Sequence, residues 1–431
     1  MTPANTPVRL VRAVGLAGLT AISVNGVIGA GIFIMPATIA AMLGAASPIA
    51  YIVASAAALL VALSFAEAGG MFDRAGGPYL YAREAFGPFL GFQTGWMFLL
   101  GRLTGAAAVA NGFALYLGYL NPAFHTSAGR AVAIAGSLTA IAALNYVGVR
   151  YGSWAVNVLT VGKLVPLLVF IAAGMFAADP GAFTFAELPP FNELRRASLV
   201  LLFAIGGYEF ASVPTEEVID PKRNMPLSLI AGLCISVVIY LLIQMVCQGT
   251  LPGLAASPAP LADAAATFLG PTGAILLTAG AVLSTTGTNS TILLVGPRML
   301  YALAQGGQMP AVFGRVHERY RTPHVSVVVF AAGALLIAIS GTFAQIAALN
   351  AIARLLYSIS TCAAVPVLRK RYPPAQRTFT LPGGWLFPAL GILASLFLLT
   401  GMDLRQALIG GAGIAAGAIL YLLNRRRAGN N

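Results

Sequence analysis

About twelve apolar runs, each close to or longer than the roughly 20 residues a membrane-crossing helix needs, fill nearly the whole chain. Their approximate limits are 14–43, 48–72, 88–120, 129–148, 152–178, 196–220, 226–250, 271–303, 323–341, 343–368, 384–401 and 404–424. Of 431 residues, 58% are hydrophobic and 9% charged. An ordinary soluble domain is roughly a quarter charged. Too few charges remain to cover a water-facing surface, which excludes a soluble globular protein, a disordered chain and a collagen-like fibre. The expected fold is an all-α integral membrane protein of about twelve transmembrane helices in one domain.

The N-terminus, MTPANTPVRLVR, lacks a short apolar core followed by a small-residue cleavage site, so the first run is expected to be a retained helix. The formal net charge is +12. With a cytoplasmic N-terminus and alternating helices, seventeen Lys and Arg fall in inside segments, among them Arg9, Arg83, Lys222, Arg319 and Arg369. Only Arg130, Arg195, Arg196 and Arg405 fall outside. Positive residues collect on the cytoplasmic side, so both termini are expected there, in a multi-pass protein of the cell's inner (plasma) membrane. Anionic lipid at that face accounts for the basic balance, and no nucleic-acid partner is implied. Cys234, Cys247 and Cys362 lie in apolar runs without metal-ligand spacing and are read as buried packing residues. The longest loops, near 179–195 and 251–270, are too short for a separate soluble domain; within the second, LADAAATFLG reads as a short amphipathic surface helix.

Two runs carry helix-breaking clusters. The first contains SVNGVIGAGIFIMP (23–36), with Gly26, Gly29 and Gly31 ahead of Pro36. The sixth contains LVLLFAIGGYEFASVPTEEVIDPKRNMP (199–226), with Gly206 and Gly207 beside Glu209 and Pro214 beyond. Each Gly costs a helix interior roughly 1 kcal/mol relative to Ala. Glycines also serve close helix packing, so either cluster alone has two explanations. Interruptions in two runs an odd number of helices apart instead suggest two halves of opposite topology and a binding site between them. A helix starting near Gly31 would offer free N–H groups to a carboxylate. Helices ending at the two breaks would offer carbonyls to an ammonium group. Such a site fits a zwitterion such as an α-amino acid, without excluding other small polar solutes.

At these residues the chain resembles the amino acid–polyamine–organocation (APC) superfamily of permeases. GVIGAGIFIMP is similar to the family's first-helix signature, and SFAEAGGMFDRAGGPYLYAREAFGPFLGFQTGW (64–96) to its second helix, following loop and third helix. GYEFASVPTEEVIDPKRNMP is similar to its sixth helix and following loop, and VGPRMLYALAQGGQMPAVFGRVHERYRTPHVS (295–326) to the end of its eighth helix and next loop. The resemblance implies a five-plus-five inverted repeat (14–178 and 196–368), two extra helices (384–424) and alternating access with helices 1 and 6 broken. It implies that a substrate carboxylate meets backbone N–H groups around Val27, Ala30 and Gly31. The amine would meet carbonyls around Phe203, Ala204 and Gly206, with Phe203 as an aromatic cap or simply a core residue. Small residues at Ala204, Gly206 and Gly207 leave room for a side chain. No carboxylate stands at an obvious side-chain position, which favours a neutral substrate.

Among ionisable residues inside the apolar runs, four stand out: Arg102, Lys163, Glu209 and Arg354. Each costs about 2.5–3.5 kcal/mol on insertion scales. Lys163 resembles the fifth-helix lysine that stands, in proton-coupled and exchanging members of the superfamily, where sodium-coupled members hold an ion; a purely structural cation is the other reading. Glu209 serves either to satisfy loose backbone or to relay protons. Arg102 and Arg354 are expected to pair with carbonyls or line the cytoplasmic path, and Glu67 to lie at the membrane interface. The hydroxyls of STTGTNST (284–291) keep sodium symport open, although Ser and Thr commonly bond their own helix. A polyamine or other organic amine is an alternative cargo.

An enzyme would need clustered His, paired carboxylates or a nucleophile with its base. His125, His317 and His324 all lie in loops, and no H-E-x-x-H, G-x-S-x-G or P-loop occurs. A channel would not need paired helix breaks. The expected function is therefore secondary active transport of an amino acid by proton symport or exchange, without cofactor or metal. Oligomeric state and the particular solute are left open.

Overall fold

The computed structural model describes residues 14–72, 77–148, 153–184, 188–209, 218–373 and 379–428. Among these the chain is helical, apart from one isolated bridge pairing Val14 with Val218. The helices are α1 (Leu16–Val27), α2 (Gly31–Leu43), α3 (Ser47–Gly69), α4 (Gly77–Phe86), α5 (Pro88–Leu120), α6 (Ser127–Tyr146), α7 (Ser153–Ala177), α8 (Phe191–Ile205), α9 (Pro221–Thr250), α10 (Pro260–Gln305), α11 (His324–Ser340), α12 (Phe343–Arg371), α13 (Leu386–Leu399) and α14 (Leu404–Ala428). Seven described stretches are long and apolar enough to cross a membrane, and four shorter apolar helices accompany them.

Local chemistry sets many helix limits. Thr126 caps α6 by accepting from Gly129 N. Thr342 and Gln345 form a capping box that starts α12. Gly44, at φ 52°, turns the chain between α2 and the short helical turn that leads into α3. Gly270, at φ 67°, bends α10 so that Pro260–Leu269 is a helix of its own.

That first part of α10 is the short helix expected there, although it joins the next run across the bend. LADAAATFLG is helical and two-faced: Leu261, Ala262, Ala264 and Ala265 are fully buried, while Ala266 and Thr267 are exposed. Cys234 corrects one expectation: it is exposed on α9, while Cys247 and Cys362 are buried. All three are free thiols.

The helix α5 is the spine of the bundle, packed against α12, α10, α4 and α11. Its buried stretch Gly101–Gly112 is rich in Gly and Ala. Lipid is as apolar as a leucine side chain, so membrane helices associate through small residues that permit close approach. At Gly112 an added Cβ would lie 3.0 Å from the Cβ of Ala30 and from Cδ1 of Ile34, which holds α1–α2 against α5. By contrast, few residues of α6 and α14 are buried, and Ile52, Val132, Leu168, Leu336 and Leu393 are exposed. An apolar exterior of this extent belongs in lipid.

Candidate functional site

The first apolar run is two helices. α1 ends at Val27, Ile28 (φ −73°, ψ 88°) leaves helical geometry, and α2 starts at Gly31. α8 ends at Ile205 with Gly206 extended beyond it. Pro214 and residues 210–217 lie outside the described residues. The two helix ends touch. A Cβ on Gly31 would lie 2.6 Å from Ala204 Cβ and 2.7 Å from Ala204 Cα. Gly207 has φ 122°, and a Cβ there would fall 2.2 Å from Gly26 O. Only glycine allows that conformation and that approach together. Tyr240, on α9, ties the ends with its hydroxyl, which lies 3.1 Å from Val27 O and 3.0 Å from Ala204 O.

A cavity opens between these ends. Val27, Ala30, Gly31, Phe203, Ala204, Gly206 and Gly207 all line it, beside Gly26 and Gly29. α5 contributes Gly101, Arg102, Gly105 and Val109; α10 contributes Thr288 and Ile292; α12 contributes Asn350 and Arg354. The structure thus brings together every binding residue named from sequence. Ala204 O, expected to face an amine, already accepts from Tyr240. Phe203 packs edge-on against Phe343, with ring centroids 5.4 Å apart.

Lys163 stands apart from the cavity. It is 2% exposed. Its Nζ donates to Asn25 O at 2.8 Å and Ile28 O at 2.6 Å, both next to or in the gap between α1 and α2. Ser284 Oγ, on α10, donates to the same Ile28 oxygen at 3.4 Å. The lysine therefore fastens loosened backbone to α7, with α10 alongside.

Glu209 is the centre of a buried ionic cluster. Its Oε1 accepts from Arg102 Nη2 at 2.8 Å, Arg354 Nη1 at 2.7 Å and Tyr357 Oη at 2.9 Å. Its Oε2 accepts from the backbone N–H of Gly207 at 3.0 Å. Arg102 also lies over Phe98, 4.3 Å from the ring centroid. Both arginines pair with a carboxylate, a partner the sequence reading did not name, and both line the cavity. Glu67 lies two residues before the end of α3. It is fully buried and takes two hydrogen bonds of 2.6 Å from Arg369.

Sequence reasoning missed Tyr240, Tyr357 and Asn350, and singled out Thr288 only as one of the STTGTNST hydroxyls. One signal was legible for two of them: Asn350, Arg354 and Tyr357 recur at helical spacing and so share a face of α12. Tyr240 had no signal, because an apolar run with one tyrosine looks the same wherever the hydroxyl ends up.

A helical membrane protein enclosing a polar cavity between helix ends has the layout of a transporter. The chain belongs to the amino acid permease family, whose model matches residues 14–409. It is 27% identical to the branched-chain amino acid permease BcaP of Bacillus subtilis, over 97% of this chain and 94% of that protein. It is 25% identical to the serine/threonine exchanger SteT of Bacillus subtilis, over 97% and 98%. Cationic amino acid transporter 4 of Mus musculus is 27% identical over 86% of this chain and 62% of the mouse protein. The chain is a multi-pass membrane permease of the APC superfamily, not an enzyme.

Proposed function

We propose that this permease moves an amino acid across the plasma membrane by alternating access, as a proton symporter or an exchanger. The observation that carries this reading is the cavity walled by the end of α1, the start of α2 and the end of α8. In it the substrate carboxylate sits at the start of α2, where unpaired N–H groups and the helix dipole favour an anion. The ammonium group sits at the carbonyl end of α8. The two halves, 14–178 and 196–368, act as an inverted repeat within twelve crossings, with both termini in the cytoplasm. A neutral amino acid was the expected cargo and a polyamine or other organic amine the alternative; Arg102 and Arg354 in the cavity wall weigh against the alternative.

Lys163 is the coupling residue in this reading. Its ammonium holds Asn25 O and Ile28 O, and its deprotonation frees α1 to move relative to α7. Sodium symport draws support from Ser284 near Ile28 O. That site, however, already holds the lysine charge, and a second cation beside it would be repelled.

The test is uptake of a labelled amino acid panel into proteoliposomes, under an imposed proton or sodium gradient or with substrate preloaded inside. Uptake driven by protons or by internal substrate, and lost to concentrative transport in a folded Lys163→Ala variant, is the expected result. Sodium-driven uptake, or unchanged concentrative uptake in that variant, would overturn the coupling role.

A further inference from the structure

Arg102 and Arg354 are the cations among the described residues that line the cavity, and no acidic residue lines it with them. Glu209 stands behind and takes one nitrogen from each guanidinium. The Arg354 guanidinium lies flat against the backbone at the end of α8: a Cβ on Gly206 would fall 1.8 Å from its Cζ. The space where a substrate side chain would extend is thus occupied by a tethered guanidinium. Its Nε is buried without a partner, and so are Thr288 Oγ1 and Asn350 Oδ1.

This wall discriminates among side chains. A lysine or arginine side chain would meet two like charges in a site shielded from water. A neutral aliphatic chain would leave Arg354 Nε and Thr288 Oγ1 buried and unpaired, the costly case for a polar group. A carboxylate has two oxygens able to accept from both guanidinium and hydroxyl, and it matches the planar fork of arginine.

Size points the same way. The cavity is small, about 40 Å³, against roughly 300–1,000 Å³ for an ordinary small-molecule site. A larger opening is needed for an amino acid, and the Arg354 guanidinium against Gly206 is a group whose displacement would provide it. A ligand shifts such an equilibrium only through its differential interaction with the two positions. A side-chain carboxylate supplies that interaction; an aliphatic chain does not.

We infer that the transported solute is an amino acid with an acidic side chain, its distal carboxylate held by Arg354 and Arg102 with Thr288 beside them. The inference rests on the permease reading above and replaces the expectation of a neutral side chain, which weighed only missing acids and not the bases present.

The experiment compares L-glutamate and L-aspartate with their near-isosteric amides, L-glutamine and L-asparagine, in full-length protein in proteoliposomes. An acid is expected to be taken up with an apparent affinity at least about tenfold better than its amide, the worth of one charged hydrogen bond. Arg354→Gln is expected to erase the preference. Because that change leaves Glu209 short of a partner, Glu209→Gln/Arg354→Gln is measured beside it, with folding followed by thermal unfolding in detergent. An amide carried as well as its acid, or a preference intact in both variants, overturns the inference and leaves the permease reading standing. If no amino acid of the wider panel crosses the membrane, the permease reading fails and this inference falls with it.

Discussion

Gly31 has no room for a methyl group, because its missing Cβ would sit against both Cβ and Cα of Ala204. The neighbour is main chain as well as side chain, so it cannot rotate away. Gly31→Ala is expected to lower stability by about 1–3 kcal/mol through overpacking and to reduce transport by forcing α2 from α8. Thermal unfolding of the purified protein measures the first, with Gly411→Ala as control, since no atom lies within 4 Å of a Cβ there. A Gly31→Ala protein as stable as that control would show that the two helix ends are not in contact. At this scale the sequence was informative where a residue type is costly. Three glycines and a lysine within apolar runs have few explanations, and Lys163 is found against loosened backbone. Arg102 and Arg354 were equally conspicuous, but the carboxylate they meet was not named. A charge in an apolar run announces that it has a partner; which partner depends on how α5, α8 and α12 pack together.

Helix limits were legible to within a few residues wherever a cap or breaker marks them. The run expected at 343–368 begins at Phe343 because Thr342 and Gln345 close its first turn. The run expected at 88–120 is Pro88–Leu120, entered through Gly87 at φ 90°. The run expected from 271 fails in an instructive way. Its helix starts at Pro260 and bends at Gly270. The segment 261–270 carries an amphipathic pattern, and tertiary packing buries Ala262, Ala264 and Ala265 while Ala266 and Thr267 stay exposed. Glu67 shows the same dependence between elements. Near the end of α3, it takes Arg369 from α12 and also accepts from Leu381 N at 3.1 Å, joining three segments in one buried contact. Glu67→Gln keeps the shape and removes the charge. Breaking a buried pair by removing one partner costs about 3–5 kcal/mol, and a loss of that order is expected in thermal unfolding. A smaller loss in Glu67→Gln/Arg369→Gln would show that the unpaired arginine, rather than lost packing, is responsible. Equal stability of Glu67→Gln and the unmodified protein would remove the contact from the account.

Across the whole molecule, the bias of basic residues makes a statement about sidedness that can be checked directly. Tags at the two termini are expected to be cut by protease only when it reaches the cytoplasmic face, in inside-out vesicles and not in intact cells. Cleavage of either tag from outside would reverse the orientation drawn from the charge bias. The apolar runs, the scarcity of charge and the two glycine clusters were all readable in one dimension, because each reflects a cost that lipid imposes on every residue separately: an unpaired peptide group or a charge is expensive wherever it stands. The cavity is a different matter. Gly31 meets Ala204, Arg354 lies on Gly206, and Glu209 gathers Arg102, Arg354 and Tyr357. Those meetings join residues more than a hundred positions apart, and their energies depend on distances of a few ångströms that no local pattern records. Membership in a lipid-embedded permease class was therefore written in the chain itself, while the charge lining its cavity was decided by the packing of the helices.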